Sequence, residues 1–340
     1  MNWRDQIKGD PISWLLEPVE PAVRHLALRD LQDKPKNDPE LAAARIAAQK
    51  DPAIGKILGN MNAEGWWVRP GAGYTAKYKG GVWSLIFLSQ MGMDITMDKR
   101  IETACRYYLD HAFTEKGQIS VNGSPSYTID CLQGNMLTTL LDLGYEDPRL
   151  DGAFEWMART TTGEGISPTS DKKSEIRYYA YKCGPDFACG ANRGHLCAWG
   201  GTKVMLAFSR LPLKKRTPLI IRAIERGADK FFKIDPVTAK YSQRLPDTPP
   251  NRDWWKFGFP VFYITDLLQL AEALVGLGLG KDPRLAKTLQ LIRDKQDENG
   301  CWSLEYHYTS KTWVDIPTPK QPNKWVTLRA LKVLKQAQES

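Results

Sequence analysis

The segment 277–302, LGLGKDPRLAKTLQLIRDKQDENGCW, shows the unit from which the fold is predicted. A Leu-Gly turn is followed by Asp282-Pro283, by an amphipathic run, and by a polar turn that ends at Gly300. Aspartate suits a helix N-cap, proline suits the first helical turn, and glycine permits the left-handed backbone that often ends a helix. The segment therefore predicts one helix with a defined beginning and end.

The same unit recurs along the chain. Residues 147–150 read DPRL, as do residues 282–285, and in both copies a glycine follows 18 residues after the aspartate. Less regular copies span 98–117 and 51–65. A unit that repeats at a regular spacing is the sequence signature of a repeat architecture. We therefore expect an array of similar helical units.

More apolar helical segments lie between these units, which predicts helix pairs. Strand-like alternation of any length is absent from the sequence, so we predict one all-α domain over residues 1–340. Helix pairs of this length commonly close into a ring or a superhelix. Residues 1–50 carry helix-start signals of their own and are predicted to form an N-terminal helical extension packed on this domain. The apolar segments are 82–88, 133–143, 199–211, 263–277 and 325–334.

The charge and the cysteine content narrow the class of partner. The chain has 47 Lys and Arg against 39 Asp and Glu, but the excess is spread over its whole length. Nucleic-acid binders usually concentrate basic residues in one stripe, so no nucleic acid is expected. The charge is compatible with an anionic small molecule or with a peripheral contact at a membrane surface. Six cysteines without an apolar N-terminal leader indicate reduced thiols and a cytoplasmic location.

Residues 182–203, KCGPDFACGANRGHLCAWGGTK, hold three of the six cysteines and one of the four histidines. Thiolate and imidazole are ligands that zinc prefers, so this segment indicates a metal site with zinc as the cofactor. The alternative is that these cysteines are small buried apolar residues, which free cysteines often are.

Polar residues stand beside aromatic residues just before several of the apolar segments. Lys and Arg bind phosphate or carboxylate, and aromatic walls suit an apolar tail, although helix packing would also explain the aromatic residues. Asp266 lies among apolar residues with no basic residue one helical turn away, so it is either paired in the fold or a general acid or base. We expect catalytic roles for Asp266, Tyr78 and Lys77. The expected ligand-binding residues are Tyr74, Trp83, Arg177, Tyr178, Arg193, Trp255, Phe259 and Tyr263.

The stretch from Gln296 to Trp302, QDENGCW, resembles the Q-x3-G-x-W motif of the squalene-cyclase and prenyltransferase superfamily. Segments 61–66 and 162–165 look like degenerate copies. Other stretches resemble a bacterial squalene-cyclase-like group that is often labelled nitrogen-fixation protein: WLLEP at 14–18, KYKGGVW at 77–83, FGFP at 257–260 and KWVTLR at 324–329. No G-x4-G-K-[ST] phosphate loop supports the nitrogenase label. The resemblance implies an α/α toroid, with an inner and an outer ring of helices around an apolar cavity.

A second resemblance bears on the metal. Asp130-Cys131 and His195-Leu196-Cys197 look like the stretches that supply zinc ligands in the β subunits of protein prenyltransferases, in the same order. Because Asp130 and Cys131 are adjacent, both cannot point the same way from a regular helix, and another cysteine would replace the aspartate. Cys197, two residues from His195 on a helix, is expected to face elsewhere. The resemblance thus implies zinc held by Cys131, Cys183, Cys189 and His195.

The catalytic motifs of terpene cyclisation are absent. Neither D-x-D-D nor D-D-x-x-D occurs, which argues against a squalene-type or diphosphate-ionising cyclase. The resemblance then implies a zinc enzyme that acts on a small or isoprenoid-like apolar substrate in the central cavity. The alternative is a non-catalytic toroid that binds a hydrophobic or anionic ligand and carries a structural Cys/His zinc site. A glycan-active toroid would need two facing carboxylates, and only Asp266 is a candidate.

Overall fold

The computed structural model describes residues 3–168, 170–177, 182–240 and 252–339. These residues form mainly α-helices, which confirms the all-α prediction, and none of the described helices is both long and apolar enough to reach across a bilayer. A short antiparallel hairpin pairs β1 (Ala188–Cys189) with β2 (His195–Leu196). The helices are α1 (Pro11–Leu15), α2 (Pro21–Asp30), α3 (Pro39–Gln49), α4 (Pro52–Gly59), α5 (Gly81–Gln90), α6 (Lys99–Ala112), α7 (Asp130–Asp142), α8 (Arg149–Thr162), α9 (Ala198–Arg210), α10 (Pro218–Phe232), α11 (Leu267–Gly276), α12 (Ala286–Asp294) and α13 (Lys324–Glu339).

The repeated aspartates begin their helical units in the same way. In three copies a carboxylate oxygen accepts the backbone N–H of an arginine two residues later, at 2.9 Å. The guanidinium group of the same arginine also donates to the aspartate. This shared local structure confirms the predicted repeat. The pairs are Asp98 with Arg100, Asp147 with Arg149, and Asp282 with Arg284.

The helices alternate between two environments. Helices α5, α7, α9, α11 and α13 are buried on most of their surface, whereas α6, α8, α10 and α12 bury one face. Each buried helix packs against the next, and α13 packs against α2. Residues of α2, α5, α7, α9, α11 and α13 line one cavity at the centre. The amphipathic helices lie outside, so the chain has the two concentric helix rings of an α/α toroid.

The N-terminal segment is part of this ring. Residues 1–50 were predicted to form a helical extension packed on the domain, and in the structure α2 packs on α13 while α3 packs on α2. Leu26 of α2 lies against the end of α5, where a Cβ on Gly92 would come within 2.6 Å of the leucine side chain. Gly92 also has a φ of 78°, which a residue with a side chain rarely adopts. The contact thus closes the ring between α2 and α5.

The Q-x3-G-x-W motif joins the two ends of the chain. The Oε1 atom of Gln296 accepts the backbone N–H of Lys8 at 3.0 Å, and its Nε2 donates to the carbonyl group of Gln6 at 3.1 Å. Gly300 has a φ of 77°, and a Cβ there would lie 1.9 Å from the Lys8 carbonyl oxygen. The motif therefore requires glycine at this close approach, and its glutamine ties the N-terminal segment to the end of α12.

The tryptophan of the motif is bonded to the preceding helix. Trp302 donates its indole N–H to Ile292 at 2.8 Å, and Trp67 donates to Ile57 at the same distance. The sequence copy was aligned on Trp66, but Trp67 is the fully buried residue in the motif position. Both buried tryptophans stand two residues after a left-handed glycine, which explains their common orientation.

Residues 257–263, here called the plug loop, cross the centre of the ring. The Nε2 atom of Gln90 in α5 donates to the carbonyl group of Val261 at 2.7 Å, and the backbone N–H of Val261 donates to the Oε1 atom of Gln90 at 2.8 Å. Asn135 of α7 and Arg329 of α13 donate to other carbonyl groups of the loop. Three inner helices therefore hold the loop in place, where its residues Phe259 and Val261 line the central cavity.

Candidate functional site

Aromatic rings from three segments of the chain meet on one side of the plug loop. Tyr78 contacts Trp83 edge-on with 4.9 Å between ring centroids, and it stacks on Phe262 at 5.5 Å. Tyr308 lies 4.6 Å from Tyr78, and Tyr74 lies 5.4 Å from Trp83. We call this group the aromatic cluster. Its members are Tyr74, Tyr78, Trp83, Phe262, Tyr263 and Tyr308.

Lys77 covers this cluster on the solvent side. Its Nζ atom lies 4.7 Å from the ring centroid of Tyr263, 5.1 Å from that of Tyr74 and 5.8 Å from that of Trp83. These distances are typical of cation–π contacts. Lys77 is exposed, so its ammonium group can leave the rings without disturbing the core. The structure brings together five predicted site residues: Tyr74, Lys77, Tyr78, Trp83 and Tyr263.

Four thiols and one carboxyl group lie beside the aromatic cluster. The thiol of Cys183 donates a hydrogen bond to Asp130, and the thiol of Cys197 donates one to Cys189. Burial, followed by the nearby charges of Asp130 and Cys189, raises the pKa of Cys131 to about 12. We call these five residues the thiol cluster, and their mutual effects place them in one electrostatic environment.

The thiol cluster forms because α7 and α9 approach closely. A Cβ on Gly134 of α7 would lie 2.4 Å from the carbonyl carbon of Lys203 of α9, so only glycine fits at this crossing. The close crossing brings Asp130 and Cys131, at the beginning of α7, to the hairpin that precedes α9. The signal in the sequence is a glycine inside a buried helix, which often marks close helix packing.

Cys189 and Asp130 have shifted pKa values in opposite senses. The thiol of Cys197 lowers the pKa of Cys189 to about 6, and backbone N–H groups of Ala191 and Asn192 contribute to this shift. Cys189 is therefore largely a thiolate at neutral pH. Burial raises the pKa of Asp130 to about 7, although Cys183 donates to its carboxyl group. The cluster thus offers a nucleophile beside a group that can exchange a proton near neutrality.

The predicted zinc ligands fall at this cluster. Cys131, Cys183 and Cys189 belong to it, and His195 stands opposite Cys189 in the hairpin register. Thiolate and imidazole are donor types that suit zinc. Within the described ranges, however, no three His, Cys, Asp or Glu side chains are arranged so that they could hold a metal ion.

Cys197 was expected to face away from the site, and this expectation was wrong. The prediction assumed a helix at 195–197, but His195–Leu196 is a strand and Cys197 is the N-cap of α9. Its Sγ atom accepts the backbone N–H of Gly200 at 3.4 Å. This geometry turns the thiol towards Cys189, so Cys197 is a site residue that the sequence analysis missed.

Asp266 is engaged in the scaffold. Its two carboxylate oxygens each accept a hydrogen bond from Arg329 at 3.0 Å, and it caps α11 through the N–H of Gln269 at 2.7 Å. The Tyr306 hydroxyl and the N–H of Gly258 lie at 3.3 and 3.4 Å. Asp266 is fully buried, and the basic partner that the sequence did not reveal comes from another helix. The geometry therefore favours the structural alternative over the expected general acid.

The remaining predicted residues have other positions. Phe259, in the plug loop, lines the central cavity. Trp255 donates its indole N–H to a backbone carbonyl group at 2.7 Å, and Arg177 donates to another at 3.3 Å. Arg193 is exposed in a left-handed turn, and Tyr178 lies outside the described residues.

The central cavity has a volume of about 480 Å³. The resemblance implied an apolar cavity, but this one also carries six charged side chains, which the sequence analysis missed. The sequence feature that could have indicated these residues is the presence of charged residues near the ends of otherwise apolar inner helices. Its apolar wall includes Leu26, Ile86, Phe259, Val261 and Trp325. The charged residues are Arg29, Asp142, Arg210, Glu272, Arg329 and Lys332.

Comparisons with known proteins find similarity to solved structures. No protein-family model and no curated protein matches this sequence. Among solved structures, the chain is similar to a variant of the type II terpene cyclase MstE from Scytonema in complex with its substrate, geranylgeranyl dihydroxybenzoate. The identity is 13%, the match covers 94% of this chain and 98% of that one, and the TM-score is 0.32. It is also similar to a second, ligand-free variant of the same cyclase, at 14% identity over the same shares of the chains and a TM-score of 0.31.

Proposed function

We propose that this chain is an enzyme that binds an isoprenoid-like apolar ligand against the aromatic cluster and attacks it with a thiolate of the thiol cluster. The observation that carries the proposal is the meeting of these two clusters. Burial and the neighbouring thiols Cys131, Cys197 and Cys189 raise the pKa of Tyr263, so this ring borders both groups. Aromatic faces bind apolar chains through the area that they remove from water.

Cys189 is the proposed nucleophile. It is only partly buried, and its lowered pKa keeps it ionised at neutral pH. The reaction class is attack of this thiolate on an electrophilic carbon of the ligand, in which the C–S bond forms as the bond from that carbon to an oxygen leaving group breaks. The protonated form of Asp130, whose pKa is about 7, would give its proton to the leaving oxygen, and the ammonium group of Lys77 would move from the rings to a polar end of the ligand.

Calorimetric titration with farnesol, an isoprenoid alcohol, tests the binding step. Wild-type protein is expected to bind it saturably, and Tyr263→Ala to weaken binding by about tenfold because a buried aromatic face is lost. Tyr127→Ala is the matched control, since this tyrosine is 56% exposed. A protein that shows no saturable binding, or a Tyr263→Ala variant that binds like the wild type, would contradict the proposal.

Alkylation by iodoacetamide tests the nucleophile. Cys189 is expected to react fastest, and bound farnesol is expected to slow its labelling. Cys301 serves as the internal control, because burial raises its pKa to about 11. If both cysteines are labelled at the same rate, Cys189 does not have the proposed role.

Zinc binding at the same cluster is the second candidate function. The support for it is the donor type of Cys131, Cys183, Cys189 and His195. In that case the thiols would be ligands, either around a catalytic ion with an open position or around a closed structural site. The two candidates differ in what Cys189 does, so its substitution separates them.

A further inference from the structure

The ammonium group of Lys77 lies among three aromatic rings, here called the aromatic cage. Its Nζ atom is 4.7 to 5.8 Å from the ring centroids of Tyr74, Trp83 and Tyr263. The face of an aromatic ring is negative, so three faces that surround one point form a site for a cation. In the part of the chain that the structure describes, no carboxylate pairs with Lys77, so the rings are what hold its charge.

This arrangement is not a general result of the many aromatic residues in the chain. Among the described residues, the other lysines that lie over an aromatic ring have one ring each. Lys79 lies 5.2 Å from the ring centroid of Trp313. Lys295 lies over Phe257 and is also paired with Glu305 at 2.7 Å. The cage around Lys77 therefore differs from these contacts in the number of rings that meet at one charge.

The rings of the cage are fixed, whereas the lysine is not. Trp83 is 1% exposed and donates its indole N–H to the carbonyl group of Tyr74 at 2.9 Å. Tyr263 lies edge-on to Trp199, with 5.5 Å between ring centroids. Lys77 is exposed, so water can solvate its ammonium group when it leaves the rings. A cationic ligand would thus find the walls already in position, and preformed walls reduce the entropy cost of binding.

A methylated ammonium group suits the cage better than the lysine does. The primary ammonium group of lysine is strongly hydrated and carries three N–H donors, for which ring faces are poor substitutes for water. A methylated ammonium group has the same charge with fewer donors, and its methyl groups add apolar area that the rings remove from water. Such a group gives up less hydration on entry, so it is expected to displace Lys77.

We propose that the aromatic cage binds a methylated ammonium group of a small-molecule ligand, and that Lys77 occupies the cage when no such ligand is bound. The proposal rests on the proposed function for the position of the ligand at the aromatic cluster, and it adds a cationic group to that ligand. It does not depend on the attack by a thiolate. Lys77 leaves the rings when the ligand enters, as the proposed function also requires.

Titration calorimetry with choline and 3,3-dimethyl-1-butanol tests whether the cage recognises charge. The two molecules have the same shape, but a carbon atom takes the place of the nitrogen in the second one, which is therefore uncharged. Choline is expected to bind saturably with one site per chain and about tenfold more tightly than the uncharged molecule, because the cation–π attraction is present in choline alone.

Substitutions at two lysines test the role of Lys77. Lys77→Gln removes the side chain that competes for the cage, so choline affinity is expected to rise about three- to tenfold. Lys79→Gln is the matched control, since it makes the same charge change two residues away at a lysine that lies over one ring outside the cage. Its choline affinity should equal that of the wild type.

A substitution in the cage locates the binding. Tyr263→Leu replaces a ring face by an apolar side chain and is expected to weaken choline binding about tenfold. If Tyr263→Leu does not fold, Tyr74→Leu removes another face of the cage and decides the same point. Wild-type choline affinity in the folded ring variant would contradict the proposal.

Three further results would overturn it. These are no saturable choline binding at millimolar concentration, equal affinities for choline and the uncharged molecule, and a choline affinity in Lys77→Gln that does not exceed the one in Lys79→Gln. Farnesol titration of the same proteins separates this proposal from the proposed function. Farnesol binding without choline binding overturns the cage alone, whereas choline binding without farnesol binding supports the cage and contradicts the proposed function.

Discussion

Arg329 of α13 binds both carboxylate oxygens of Asp266, the N-cap of α11, with N–O distances of 3.0 Å. The same guanidinium group donates to the carbonyl oxygen of Gly258 in the plug loop at 2.7 Å. One ion pair therefore joins two inner helices and the plug loop. A substitution of either residue should therefore lower the stability of the fold rather than act directly on a catalytic step.

Asp266→Asn is expected to lower the free energy of unfolding by about 3–5 kcal/mol, because it leaves Arg329 buried without its countercharge. Denaturant unfolding measures this loss. Asp151→Asn is the matched control, since Asp151 is 61% exposed in its pair with Lys215 and such pairs contribute about 1 kcal/mol or less. Unchanged stability together with lost turnover would instead support the catalytic role expected from the sequence.

Trp302→Ala is expected to destabilise the fold by about 3–5 kcal/mol while farnesol binding at the aromatic cluster is retained. Trp302 is 1% exposed and bonded to Ile292, so its loss opens a cavity beside the segment where the chain ends meet. Trp66→Ala, at a partly exposed tryptophan, serves as the control. A variant with the melting temperature of the wild type would show that the motif does not tie the repeats together.

Lys203 should make stability rise with pH. It is fully buried, and burial lowers its pKa to about 7, whereas an unfolded lysine has a pKa of about 10.4. Between these two values the unfolded chain binds a proton that the folded chain does not, so the free energy of unfolding increases as the pH rises through this window. Lys203→Met removes the titrating group and should flatten that increase.

Unfolding curves of the wild type and of Lys203→Met, measured between pH 7 and pH 10, check this prediction. Lys287→Met, at an exposed lysine, controls for the loss of one positive charge. Equal pH dependence in the wild type and in Lys203→Met would mean that Lys203 keeps its proton in the folded state.

Zinc remains a prediction from the Cys and His residues and from their resemblance to prenyltransferase ligands. If the thiol cluster binds zinc, elemental analysis of protein purified without added metal will find one zinc per chain and Cys189→Ser will reduce that content, whereas a zinc-free chain supports Cys189 as the free nucleophile. Cys301→Ser, at a buried cysteine outside the thiol cluster, should leave it unchanged. A metal-free chain that is fully folded would exclude a structural zinc ion.

The sequence by itself was sufficient to predict the helices and the repeat. Asp282 caps the 3-10 turn that leads into α12 as predicted, whereas Asp147 accepts the N–H of Arg149 but stands one residue before Pro148, the N-cap of α8. The role of Gln296 and Gly300 in tying helices together also follows the motif. The grouping of Tyr74, Lys77, Tyr78 and Trp83 was predictable for a similar reason, since these residues lie close together in the chain.

Only the tertiary structure decided which distant residues meet. The Arg329 partner of Asp266 comes from another helix, Cys197 joins Cys189 because a short hairpin replaces the expected helix, and α2 becomes an inner helix because it packs on α13. The central cavity depends on side chains from six helices and on the plug loop. Such contacts depend on how the helices cross and on how the ring closes. Local sequence patterns do not determine either, because the packing of whole helices, and not the spacing of residues along the chain, selects the partner of a residue across the ring.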